Sequence, residues 1–398
     1  MRLAARMDRI GTETAFEAAA RARALEATGR HVIHLELGEP DFDTPRNVSE
    51  AAAHALLAES ATHYTPATGI LPLREAIVAD VKRWKGIETT PDRVVVTPGA
   101  KPIMFYAMLA LIDEGDEVIY PNPGFPIYES MARYVGGTPV AAPLRESADF
   151  RMDVDEIAGL ITPRTKLLVF NTPHNPTGSV LTDADIRRLA ELAVEHDLVV
   201  LADEIYGRLQ YTGEPLSIAT LPGMAERTIT LDGFSKTFAM TGWRLGYGIV
   251  PEWLAPSFSR LVINSVSCTN AFAQLGAVEA LAGPQDAADA MREEFLVRRQ
   301  LMVDGLNAIP GVTCVMPHGA FYTFPNVSSF GRTSNEIADH LLYDAGVCGL
   351  SGTAFGVHGE GHLRFSYANS RENLASALDR IGNSLSKLER TGELVGAA

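Results

Sequence analysis

Short, largely apolar runs recur through the middle of the chain, at residues 94–96, 117–120, 166–170, 198–202 and 228–231. Their hydrophobicity is continuous rather than alternating, as a strand requires when both of its faces are covered. Helical patterns separate them, among them 101–111, 126–135 and 183–195, and a further strand is expected at 139–142. This alternation predicts an α/β fold, a mainly parallel sheet between helical layers. Ahead of it come a helix at 12–28 that stops at Gly29, a short strand at 31–37, and helices at 47–58 and 71–84. Behind it, helices at 271–283 and 286–308 lead into strands at 322–324 and 361–365 with helices at 334–345 and 371–388, the pattern of a smaller α+β domain. A chain of 398 residues exceeds what one ordinary core holds. The expected division is an N-terminal arm with part of the small domain at 1–44, a large domain at 45–285 and a small C-terminal domain at 286–398.

Charge and composition narrow the function. A formal net charge of −15 disfavours a surface for nucleic acid. Cys268, Cys314 and Cys348 are odd in number, widely spaced and in no CxxC pair, so neither a disulfide framework nor a metal site is expected. The opening MRLAARMDRI has no apolar signal segment, and no run of about 18 apolar residues occurs, so a soluble, cytoplasmic protein with no membrane partner is expected.

Ligands of open α/β sheets bind outside the carboxyl ends of the strands, which directs attention to the residues after each apolar run. After 94–96 comes Gly99-Ala100-Lys101, a glycine turn that opens a helix and is either a phosphate cradle or a plain turn. After 166–170 comes NTPHNPTG, in which two X-Pro bonds flank Asn175. After 198–202 stand Asp203 and Tyr206; a carboxylate at a buried strand end needs a cation or donors. After 228–231 come Ser235-Lys236 and, eight residues beyond the lysine, Arg244. A lysine crowded by Phe234, Phe238 and Trp243 is poorly solvated and yields a neutral, nucleophilic amine. Taken alone, Lys236 and Arg244 fit a surface turn equally well. Taken together, the strand ends supply a Lys for an aldehyde, an Asp for a ring cation, a Tyr and an Asn for a phenolic oxygen, and a glycine turn plus Arg for a phosphate. That inventory matches pyridoxal 5′-phosphate. A dinucleotide would call for GxGxxG after the first strand, which is absent.

In order along the chain, LELGEPDFDTP, HYTPATGILPLREAI, GDEVIYPNPGFPIY, NTPHNPTG, ADEIYGRL, GFSKTFAMTGWRLGYG, GAFYTF and HLRFSYA make the sequence resemble the fold-type I, class I/II aminotransferases, in particular their bacterial aspartate aminotransferase-like branch. The resemblance implies a Schiff-base role for Lys236, which also shuttles a proton. It implies that Asp203 partners the pyridine N–H, that Tyr206 and Asn175 donate to the phenolic oxygen, and that Phe125 stacks on the ring. Ala100, Lys101, Ser235 and Arg244 match positions around the phosphate. Tyr64 matches a tyrosine reaching the phosphate from the neighbouring subunit of a homodimer. Arg364 matches the arginine that grips the substrate α-carboxylate, with Gly38 and Asn175 beside it.

The implied activity is transfer of an amino group from an amino acid to a 2-oxo acid such as 2-oxoglutarate or pyruvate. A lyase or an oxidase acting on an amino acid is the alternative on the same scaffold. Three departures from the family pattern stand out, the first being Asp232, where many relatives have a Ser that contacts the phosphate. Ser351 stands where relatives usually have Pro, and residues 262–270 lack the arginine that classical aspartate aminotransferases place near there. Lys101 can serve a distal carboxylate in the bacterial branch. Specificity is expected from residues 12–16, Lys101 and 262–270. His34, His54 and His318 have no partner spacing and are expected to be core or surface residues.

Overall fold

The computed structural model describes residues 2–390. In chain order β1 is Ile33–His34, β2 Val94–Thr97, β3 Glu117–Asn122, β4 Thr138–Pro143, β5 Thr165–Asn171, β6 Val199–Asp203, β7 Thr228–Gly233 and β8 Gly246–Ile249. The main sheet has the order β2-β8-β7-β6-β5-β3-β4. The pairs from β7 through β4 are parallel, and β8 runs antiparallel to both β7 and β2. The expected α/β class and mainly parallel sheet are therefore present.

Continuous apolar runs have a direct reason here. Val118, Leu167, Val169, Leu201 and Ile229 pack on one side with Ile103, Met104 and Met108 of the helix Lys101–Leu111. Ile119, Leu168, Phe170, Val200 and Ala202 pack on the other with Ile186, Leu189 and Leu192 of the helix Asp183–Glu195. Each such side chain contributes roughly 1.5–3 kcal/mol on burial. The second helix begins at a capping box formed by Thr182 and Asp185, which satisfies two of its free N–H ends. The first begins at Ala100 with no side-chain cap, leaving its N–H groups open to a ligand.

The C-terminal part builds two small sheets. β9 is Tyr322–Thr323, β10 Val347–Cys348, β11 Leu350–Ser351 and β12 Leu363–Ser366. β11, β12 and β9 form an antiparallel trio, while β1 pairs parallel with β10, Ile33 opposite Val347. The helix Thr14–Glu26 packs on β10 and β11 and is tied down by an Arg21–Asp339 ion pair. The helices Asp286–Asn307 and Arg371–Leu385 lie against one another.

Several boundaries differ from expectation. The strand expected at 31–37 pairs over two residues only, and Leu37 and Gly38 line a cavity instead of continuing the ladder. The helix expected at 334–345 is α-helical over Ser334–His340 and then widens into a π turn at Leu341–Ala345. The helices Val154–Leu160 and Ala255–Ser265 and the strand β8 are additions. Gly246-Tyr247-Gly248 contains a single large side chain, so no apolar run announces β8. Among the described residues no helix is long and apolar enough to cross a membrane.

Candidate active site

A cavity of about 490 Å³ opens at the carboxyl ends of β5, β6 and β7. Gly38, Ala100, Lys101, Phe125, Asn175, Asp203, Tyr206, Ser235, Lys236, Arg244 and Arg364 all line it. Tyr64 does not. Its side chain is 90% exposed in the single chain.

The sheet register brings the two charged centres together. Asp203 ends β6 opposite Leu231 of β7, and Lys236 follows β7 by three residues. Asp203 is 3% exposed. The Tyr128 hydroxyl donates to its Oδ2 at 2.6 Å and the Ile205 N–H to its Oδ1 at 3.3 Å. Among the described residues no cation pairs with it. Burial raises its pKa to about 6, against the Tyr128 hydrogen bond and with help from Asp232 and Glu204.

Lys236 shows the opposite shift. Burial lowers its pKa to about 8; Arg364, Lys101 and Arg244 lower it further, and Glu39 opposes them. Its ammonium donates to the carbonyl of Gly38. Gly38 must lack a side chain, because a Cβ there would sit 2.1 Å from the Tyr322 hydroxyl.

Arg364, on β12, is 4% exposed and has no carboxylate partner among the described residues. Its Nη1 donates to Asn175 Oδ1 at 3.1 Å, its Nη2 donates to the Glu36 carbonyl, and its Nε is buried without any partner. The guanidinium carbon lies 4.6 and 4.7 Å from the ring centroids of Tyr322 and Phe355. Asn175 is placed by its own N–H, which donates to Asn171 Oδ1 at 2.8 Å, while Asn171 Nδ2 donates to the Asp203 carbonyl.

At the other end, Gly99 has φ +80°, and a Cβ on it would lie 2.2 Å from Arg244 Nη2. Glycine thus lets the guanidinium approach the uncapped start of the helix Lys101–Leu111. The Lys101 ammonium pairs with Glu13 and stands 5.4 Å from the Phe125 ring centroid.

Pyridoxal 5′-phosphate fits these features. Its phosphate suits open helix N–H groups beside Arg244, its ring N–H suits a buried carboxylate that lacks a cation, and its aldehyde suits a lysine held partly neutral. Among the described residues no cluster of His, Cys, Asp or Glu suits a metal ion.

Sequence reasoning passed over several neighbours. Tyr322 lies within the quoted GAFYTF, yet only its hydroxyl, 2.8 Å from that of Tyr206, reveals its place in the cavity. Tyr128, 75 residues from Asp203, carries no local signal. His34, expected to be a core or surface residue, has its Nδ1 2.7 Å from the side chain of Glu36, whose carbonyl holds Arg364. Of the stretches expected to set specificity, Glu13, Ala15 and Phe16 line the cavity of the single chain, and none of 262–270 does.

The chain is similar to known proteins over most of its length. It is 42% identical to aromatic-amino-acid aminotransferase 2 of Thermococcus litoralis over 354 residues, 88% of this chain and 90% of the relative. It is 42% identical to an aspartate aminotransferase of Pyrococcus abyssi over 356 residues, 88% and 91% of the two chains. The crystal structure of the aspartate aminotransferase from Rhizobium meliloti superimposes with a TM-score of 0.93 at 37% identity, covering 98% of this chain and all, 100%, of the other. Residues 30–381 match the family model of aminotransferase class I and II. With that match spanning nearly the whole fold, this chain belongs to the class I and II aminotransferases.

Proposed function

We propose that this pyridoxal 5′-phosphate-dependent aminotransferase takes its amino group from an α-amino acid gripped by Arg364 and passes it to a 2-oxo acid, 2-oxoglutarate or pyruvate. The observation that carries this reading is a pair of cations, half-buried Lys236 and buried Arg364, that share one cavity without carboxylate partners among the described residues. Bound pyridoxal 5′-phosphate supplies an aldehyde for the amino group and a ring that takes up the electrons released at the substrate Cα.

The chain's own residues do the rest. Lys236, its amine partly neutral near pH 8, is the residue that would hold the cofactor aldehyde, and the same amine is placed to move the proton at the substrate Cα. Asp203 keeps a proton on the ring nitrogen, which makes the ring a better electron acceptor. Tyr206 and Asn175 would donate to the phenolic oxygen, and Phe125 would cover the ring. Ala100, Lys101 through its backbone N–H, Ser235 and Arg244 would hold the phosphate end. Arg364, with Gly38 and Asn175 beside it, fixes the α-carboxylate and so orients the bond that breaks. In this reading residues 45–285 hold the cofactor, and residues 1–44 with 286–398 form the smaller unit, of which 391–398 lie outside the described residues. The assembly we propose is a cytoplasmic homodimer in which Tyr64 reaches the neighbouring site. The exposure of Tyr64 together with that of Leu57 and Leu71 supports such a contact.

The test is a half-reaction. Holoenzyme is mixed with each common amino acid in turn and the cofactor absorbance followed, and then 2-oxoglutarate or pyruvate is added. Recovery of the starting spectrum with formation of a new amino acid is the expected result. Steady release of ammonia without an acceptor would instead identify a lyase or an oxidase.

A further inference from the structure

The cavity is lined by four cations, and among the described residues Lys101 alone of them is paired with a carboxylate. Its partner is Glu13, at the N-terminal edge of the helix Thr14–Glu26. Glu13 stands at the N-cap and makes no capping hydrogen bond, and its carboxylate accepts from the Lys101 ammonium. The helix that presents it is anchored. Ala19 and Ala22 are buried, Arg21 pairs with Asp339, and the Cys348 thiol lies 3.7 Å from the Ala18 carbonyl. Glu13 is therefore held at the cavity wall by a fixed element.

With the α-carboxylate at Arg364 and the amine at Lys236, the substrate side chain is left with the wall formed by Glu13, Ala15, Phe16, Leu37 and Lys101. Three of these five are apolar, and Phe16, 63% exposed, stands at the mouth. The other two cancel one another's charge. A second carboxylate entering this wall would meet a cation already neutralised and would face Glu13 at close range, where like charges repel strongly in a partly desolvated site. A neutral side chain meets apolar surface and disturbs no pair.

We propose that Glu13 is a specificity-determining residue. By neutralising Lys101 it sets the side-chain subsite for amino acids with neutral aromatic or aliphatic side chains and against dicarboxylic ones. The inference rests on the aminotransfer reading above and deepens it.

The experiment measures the half-reaction of the holoenzyme with L-phenylalanine, L-leucine and L-aspartate, in wild type, Glu13→Gln and Glu13→Asp. The wild type should favour phenylalanine and leucine over aspartate by about tenfold or more in kcat/KM. Glu13→Gln should raise kcat/KM for aspartate by about tenfold while phenylalanine and leucine change by no more than about twofold. Glu13→Asp, which keeps the charge and guards against a mere packing effect, should retain the wild-type order. Preference for aspartate in the wild type, or a Glu13→Gln effect equal for all three donors, would overturn the assignment. Conversion of no donor by the wild type would overturn the aminotransfer reading itself, and this inference with it.

Discussion

The hydroxyl of Tyr128 donates to Oδ2 of Asp203 across 2.6 Å, linking the helix Ile127–Val135 to the end of β6. Burial pushes the Asp203 carboxyl up to about 6, and this hydrogen bond works against that rise. Tyr128→Phe removes the donor, so the carboxyl should move higher still. A hydrogen bond to a charged group is worth about 1.5–3 kcal/mol. The variant should lose roughly tenfold to a hundredfold in kcat/KM, with the acidic limb of its pH profile shifted upward. Asp203→Ala should lose more, on the order of 10²–10³-fold. A wild-type profile in Tyr128→Phe would separate the hydroxyl from catalysis.

Capture of added pyridoxal 5′-phosphate by cofactor-free protein should depend on the neutral fraction of Lys236. With its pKa lowered to about 8, the ammonium dominates below that pH and the free amine above it. The capture rate should therefore rise about tenfold per pH unit up to pH 8 and then level off. Stopped-flow absorbance reads this directly. Lys236→Ala should show no lysine-bound visible band at any pH, and a normal band in that variant would refute the assignment.

Arg364 is a buried guanidinium whose Nε lacks a partner. Arg364→Ala should raise KM for every amino donor by a similar factor, because the α-carboxylate is common to all of them. Arg364→Lys should recover little, since an ammonium cannot form the two-pronged contact. An effect confined to one side chain in steady-state assays would assign Arg364 to another part of the substrate.

At the ends of β6 and β7, Lys85 Nζ sits 2.7 Å from both Glu204 Oε2 and Asp232 Oδ2, and the Ser217 hydroxyl donates to Glu204 Oε1 at 2.7 Å. The two carboxylates hold the Lys85 ammonium charged despite its burial. Lys85→Met strands two buried anions and should destabilise the fold by about 3–5 kcal/mol in urea denaturation. Adding Glu204→Gln and Asp232→Asn to it should recover much of that loss. Unchanged stability in the single variant would show that water reaches the cluster.

Mixed subunits test Tyr64. Dimers of Lys236→Ala alone should be inactive, and dimers of Tyr64→Ala should bind pyridoxal 5′-phosphate weakly. Refolding the two together should rebuild one complete site per mixed dimer, raising cofactor affinity and activity above either parent. No gain on mixing would mean that Tyr64 does not act across subunits.

The strand-end residues were legible in sequence because a buried parallel strand writes a continuous apolar run, and its end marks where a ligand site opens. Lys236 and Asp203 stand at two such ends and share a cavity for that reason. β8 was not legible, since its glycines break the run that would have marked it. Tyr128 was not legible either. Its contact with Asp203 spans 75 residues, and nothing in the spacing of a short helix says which carboxylate its hydroxyl will meet.

The chain order of apolar runs, turns and polar strand ends was enough to determine the α/β class and the kinds of chemical group gathered at the cofactor site, because period and burial are local properties of sequence. The charge state of the substrate wall was decided only in three dimensions. Glu13 meets Lys101 across 88 residues, and whether a cation is free or already neutralised depends on which distant element folds against it.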